Sequence, residues 1–184
     1  MMDSRWIVSE IDGKIASIST NYTHFALAAR EIARLSASSI GEVRTYKIST
    51  EELLELGEKL RWEDLRLFGS KFQLKVWRCL YDLTHTEGLA PRLYSYTDIA
   101  ALVGTPSGVR AVAHAAALNP VAFVIPCHLV VPKESMDKIK TIRQSAENTL
   151  FKGTDLYLID SVDVGEYAHG AALKRELIRR QLAR

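Results

Sequence analysis

The chain's most reactive pairing is Cys127 followed by His128, set in Pro126-Cys127-His128-Leu129-Val130 directly after the apolar run Val121 to Ile125. A free thiol has a pKa near ~8.5 and is only a few per cent thiolate at neutral pH, so a nucleophilic cysteine needs a nearby base or cation. His128 is the nearest candidate. Neighbours in sequence usually point apart, so His128 is expected to act through a bridging water rather than by direct contact. The second cysteine, Cys79, shares an apolar helical face with Phe72, Val76, Leu80 and Leu83 and reads as a small buried hydrophobe. Two cysteines form no disulfide framework, and neither they nor the histidines have the spacing of a zinc site, so no metal is expected.

The flanking sequence indicates what must hold this pair. Ser95 to Val103 and Ser107 to Leu118 read as short helices joined by Gly104-Thr105-Pro106, the sequence form of a helix-turn-helix. The second helix carries one cation, Arg110, much alanine, and no acid anywhere from Ile99 to Lys133. Small side chains allow a helix backbone to approach a partner closely, and the lack of carboxylates avoids repulsion from phosphate. Upstream, a helix is expected from Ser70, followed by a loop over Thr84 to Arg92. The N-terminal stretch reads as a small α/β unit. Trp6 to Val8 and Ile15 to Ile18 are strands around an Asp12-Gly13 turn, Phe25 to Leu35 has helical spacing, Val43 to Ile48 is a strand, and a helix begins at Ser49/Thr50.

Pro126-Cys127-His128 with Val130, preceded by Asn119-Pro120 and Arg110-Ala111-Val112, resembles the O6-alkylguanine-DNA alkyltransferase family in both order and spacing. Phe72-Gln73, Val76-Trp77, Ser95-Tyr96, Ile99-Ala100 and Val103-Gly104-x-Pro106 fit the same pattern upstream, and Tyr167, Gly170 and Lys174 fit it downstream. The resemblance implies an N-terminal ribonuclease-H-like α/β domain over 1–68. It also implies a mostly helical, winged helix-turn-helix-like alkyltransferase domain over 69–184, with an insertion at about 132–164.

The activity implied is repair of double-stranded DNA containing alkylated guanine, by direct, single-turnover transfer of the alkyl group to Cys127. The alternative is a non-catalytic alkylguanine sensor or DNA-binding regulator of the same lineage. In the implied mechanism the recognition helix enters the minor groove and the damaged base is flipped out, at a cost of a few kcal/mol. Arg110 occupies the vacated stack, with Ser95, Thr97, Ala113 and Ala117 also facing DNA. Cys127, His128 and Tyr96 do the chemistry, Tyr96 as donor to the flipped base. Asn119, Pro126, Val130, Tyr167 and Ala168 form the substrate pocket, where the carbonyls of Cys127 and Val130 accept from the base amine. No cofactor, no membrane, a monomeric state and a cytoplasmic location, nucleoid-associated in a bacterium, are expected.

Several residues depart from the family pattern. Leu129 stands where an arginine usually follows Pro-Cys-His, Ala113 where the recognition helix usually has glycine, and Gln181 near the position of a glutamate that orients the histidine. The insertion reads as a helix over Lys133 to Lys152 and a strand over Leu156 to Ile159, a packed decoration more than a lid. The bulk numbers fit a globular DNA-associated protein without identifying one. Hydrophobic residues make up 47% of the 184 and charged residues 25%, with net charge +2. Residues 1–64 hold 8 Lys and Arg against 11 Asp and Glu, a balance of −3, and residues 65–184 hold 16 against 11, a balance of +5.

Overall fold

The computed structural model describes residues 6–20, 42–146 and 158–183. β1 (Trp6–Ile11) and β2 (Lys14–Ser19) form the expected hairpin, and Asp12 and Gly13 both take positive φ (52° and 74°), the twist that a two-residue turn requires. β3 (Val43–Ile48) pairs antiparallel with the other edge of β1, giving the order β2-β1-β3. The helix read over Phe25 to Leu35 lies outside the described residues.

α1 (Thr50–Lys59) starts at a capping box in which the Ser49 hydroxyl accepts from the Glu52 amide and the Glu52 carboxylate accepts from the Ser49 amide. α2 (Lys71–His85) starts the same way, on Ser70 and Gln73. It extends into the stretch read as a loop, because Thr84 and His85 both bond back to the Tyr81 carbonyl and the His85 ring stacks on Tyr81. β4 (Tyr94–Ser95) leads into α3 (Tyr96–Leu102), capped by Ser95 and Asp98. A turn with Gly104 at φ 73° then joins α3 to α4 (Val109–Ala117).

After α4 the chain makes a tight excursion over 119–126, then a 3-10 turn at Cys127–Leu129 and β5 (Val130–Val131), which pairs parallel with β4. α5 (Lys133–Ala146) occupies the first part of the insertion. The strand expected at Leu156 to Ile159 is not formed where that segment is described, since Ile159–Ser161 is a 3-10 turn. Its Ile159 turns wholly inward, and one turn of helix buries such a residue as well as a strand would. α6 (Ala171–Leu182) ends the description. Among the described residues no helix is long and apolar enough to cross a membrane.

Two apolar clusters hold these elements. The larger joins Trp6, Val8 and Ile18 of the sheet to Leu53 of α1, Val76, Trp77 and Leu80 of α2, Ile99, Val112 and Leu177, and it includes Cys127. Backbone bonds run alongside it: Ile18 N–H donates to the Pro120 carbonyl at 2.8 Å, and Ala122 N–H donates to the Ile18 carbonyl at 3.1 Å. The hairpin is thus stitched to the segment that leads into Cys127.

The smaller cluster contains Leu93, Leu129, Val131, Ile139, Ile159, Val162, Val164 and Ile178. Leu129, at the position where an arginine was expected, is 0% exposed and packs with Ile139 of α5 and Ile159 of the insertion. Leu129 is thus part of an apolar core that the stretch read as an insertion helps to build. Leu129→Arg is therefore expected to lower unfolding stability by roughly 3 kcal/mol or more, since it buries an unpaired charge. Urea denaturation checks this, and an unchanged midpoint would contradict the packing assigned to α5.

Candidate active site

The excursion between α4 and Cys127 is organised by one side chain. Asn119, 6% exposed, accepts from Val121 N–H through Oδ1 at 3.0 Å. Its Nδ2 donates to the Ile125 carbonyl at 2.7 Å and to Cys127 Sγ at 3.0 Å. The amide that folds the turn is therefore also the donor facing the sulfur. The apolar run Val121 to Ile125 forms only isolated bridges, Ile18 to Val121 and Ala122 to Ile125.

Cys127 is 8% exposed and lines a cleft of about 700 Å3. Tyr96, Ala117, Asn119, Tyr167 and Ala168 line the same cleft, so five expected site residues converge on the thiol from α3, α4, the Asn119 turn and the loop before α6. The chain returns from the insertion at Gly165, whose φ of 74° suits glycine, and an added Cβ there would lie 3.2 Å from Pro132. That return carries Tyr167 to the cleft. The Tyr167 hydroxyl is buried beside the Cys127 thiol, and its interaction with the sulfur favours the thiolate.

Burial pushes the Cys127 thiol above its ordinary pKa, and the Asn119 hydrogen bond and then the Lys174 charge act against that rise. Lys174 is 0% exposed; its Nζ donates to the Val130 carbonyl at 2.7 Å, and burial lowers its pKa to about 8. Burial first, and then the neighbouring Cys127, hold the Tyr96 phenol up at about 12 and Tyr167 well above its usual value. Both therefore keep their protons at neutral pH and can act as donors.

His128 is fully buried and does not line the cleft. Its Nε2 donates to Gln181 Oε1 at 2.5 Å, because an amide oxygen only accepts. Nδ1 is left as a bare lone pair with no partner. Burial drives the ring's pKa down to about 3, so the imidazole is neutral at physiological pH.

The remaining expected residues lie elsewhere. Pro126 and Val130 are buried beneath the site, and the carbonyls of Cys127 and Val130 each already accept one bond, from Val130 N–H and from Lys174. Ser95 is buried, and its hydroxyl donates to Asp98 Oδ2 at 2.7 Å as part of the α3 cap, a use internal to the fold. Thr97 is half-buried. Arg110 is exposed on α4 beside Ala111, His114 and Ala117, with Ala113 half-buried.

Asp163, Glu166 and His169 also line the cleft and carried no signal in the sequence. His169 is held by Thr20 at 2.8 Å and by ring contacts with Trp6 and Tyr167, all of them distant in sequence or across a loop. Among the described residues no group of three His, Cys, Asp or Glu could hold a metal ion.

The chemistry available is attack by a buried sulfur, with a neutral imidazole on the next residue and two protonated phenols lining the same cleft. Because Gln181 cannot neutralise an imidazolium, Gln181→Glu is expected to raise the His128 pKa from about 3 by several units. An NMR titration of the ring nitrogens reads this directly, and a ring that stays neutral down to pH 4 in the variant would contradict it.

A family model described as the DNA-binding domain of 6-O-methylguanine DNA methyltransferase matches residues 71–147. The probable methylated-DNA--protein-cysteine methyltransferase of Acanthamoeba polyphaga mimivirus is 43% identical over 72 residues, which are 39% of this chain and 45% of that protein. The constitutive methylated-DNA--protein-cysteine methyltransferase of Bacillus subtilis is 43% identical over 67 residues, 36% of this chain and 38% of that one. The chain thus spans less than half the length of these two relatives. The O6-methylguanine-DNA methyltransferase of Pyrococcus kodakaraensis shares the fold at a TM-score of 0.52 with 19% identity, over 96% of this chain and 91% of that one. A variant of the Mycobacterium tuberculosis O6-methylguanine methyltransferase does so at 0.51 and 19%, over 97% and 94%. The motif around Cys127 thus lies within a stretch, 71–147, that is similar to the DNA-binding domain of 6-O-methylguanine DNA methyltransferase.

Proposed function

We propose that the protein repairs double-stranded DNA by moving the alkyl group of an O6-alkylguanine onto Cys127, once per molecule. The observation that carries this reading is the sulfur lining a cleft and bonded by Asn119, with the adjacent His128 buried, neutral and unpartnered at Nδ1. The Cys127 proton passes toward His128, through a water. Sγ then forms a bond to the alkyl carbon as the bond from that carbon to guanine O6 breaks, and Tyr96 supplies a proton to the departing base. Lys174 offsets the charge on sulfur before transfer. Tyr167 and Ala168 line the alkyl pocket.

The base must leave the duplex to reach this depth, which requires a plug for the stack. Arg110 fits that role, since its planar guanidinium can stack and donate hydrogen bonds, and the small side chains of Ala111, Ala113 and Ala117 let α4 lie close in a minor groove. The helix pair α3–α4 is read as a winged helix-turn-helix-like unit within 69–184, and 1–68 as a ribonuclease-H-like domain. A monomer acting in the cytoplasm or nucleoid fits a reaction that needs no second subunit and no membrane.

Incubation with duplex DNA carrying O6-methylguanine is expected to add one methylene to the intact mass, mapped to Cys127 and absent from Cys127→Ala. Lesion-dependent binding without any mass gain would instead mark a sensor. Arg110→Ala is expected to slow repair of duplex DNA by at least about tenfold, while leaving the reaction with free O6-benzylguanine within about twofold, because only the duplex needs a plug. Equal losses on both substrates would place Arg110 in another role.

A further inference from the structure

Phe123 is one of two non-glycine residues with positive φ among the described residues. The other, Asp12, sits in a tight hairpin turn where such a backbone is ordinary. A buried aromatic at φ 72° is an outlier, and such conformations persist only where the surroundings over-determine them. In this conformation the Phe123 ring lies parallel to that of His128, with centroids 5.5 Å apart and planes 4° from coincident.

The same ring meets α1 at Gly57, where an added Cβ would lie 2.8 Å from Phe123 Cδ1 and 2.9 Å from Cε1. A glycine inside a helix weakens it relative to alanine, and here it leaves the space that the ring fills. Behind the ring a cleft of about 350 Å3 is lined by Gly57, Glu58, His85, Glu87, Phe123 and Gln181. Phe123 thus belongs both to the wall of a polar cleft and to the cover of a buried imidazole.

We propose that Phe123 is a positioning residue that seals His128 from this cleft, and that α1 holds the seal through Gly57, so the N-terminal half of the chain sets the state of the imidazole next to Cys127 in the chain. The proposal rests on the reading of Cys127 as the alkyl acceptor. The groups that bear on the ring are few. Lys174 and neutral Gln181 reach it from α6, with Cys127 adjacent in the chain. Glu58, His85 and Glu87 stand on the cleft side. With the ring in place, burial keeps His128 uncharged. Without it, water and the two carboxylates gain access, and both favour the imidazolium. A protonated ring has no lone pair to offer the thiol, so activity is lost on the acid side.

The experiment compares wild type, Phe123→Ala and Gly57→Ala in the alkylation of Cys127 by free O6-benzylguanine between pH 5.5 and 8, which bypasses DNA binding. The variant-to-wild-type rate ratio is expected to stay near one at pH 8 and to fall about tenfold by pH 5.5, as for a group whose pKa has risen to about 6.5. In parallel, His128 should titrate by NMR between pH 5 and 7 in the variants and not in wild type. Variants with an unchanged pH profile and a silent His128 overturn the proposal. Gly57→Ala removes no core side chain and instead pushes the Phe123 ring aside, so it decides the matter if Phe123→Ala does not fold. A wild type that is never alkylated at Cys127 defeats the alkyltransferase reading alone, because the His128 titration still judges the seal.

Discussion

The three hydrogen bonds of the Asn119 side chain are the constraint on which the site depends. They close the turn after α4, fix the Ile125 carbonyl, and deliver an N–H to the sulfur of Cys127. A buried amide with all of its groups satisfied is worth more than its separate bonds, because in a low dielectric each unmet group is costly. The position of the thiol and the partial relief of its burial therefore share one origin. Lys174 contributes in the same way, holding the Val130 carbonyl while its charge bears on the sulfur.

Burial sets the protonation states at the site. It raises the thiol and the two phenols, lowers Lys174 to about 8, and keeps His128 neutral. A glutamate in place of Gln181 would stabilise charge on the ring; the amide present orients the ring and leaves it uncharged. The burial of His128 accounts for that difference, and α5 adds to the burial of the neighbouring Leu129.

Much of this was legible in the chain because it is local. The Asp12-Gly13 hairpin, the capping residues Ser49 and Ser70, and the two helices around Gly104 are each fixed by a few adjacent residues. The convergence of Tyr96, Asn119, Cys127 and Tyr167 was read from resemblance, since no periodicity links positions so far apart. What escaped the sequence depends on tertiary contact. Ser95 looked available and is consumed by its own cap. His169 shows its place only once Trp6 and Thr20 are beside it. The left-handed Phe123 has no sequence signature, because phenylalanine does not favour that conformation. The Leu156 to Ile159 pattern was ambiguous between strand and turn, as short apolar runs are.

The backbone bonds from Ile18 to Pro120 and Ala122 have a consequence for how the chain comes together. They join residues about a hundred positions apart, and the Thr20 to His169 contact spans 149. Such closures carry a large loop entropy and form late, after the local helices. A growing chain would thus carry Cys127 as an ordinary thiol until the hairpin docks. The long-range contacts that hold the cleft are thus part of what separates the folded Cys127 from an ordinary thiol.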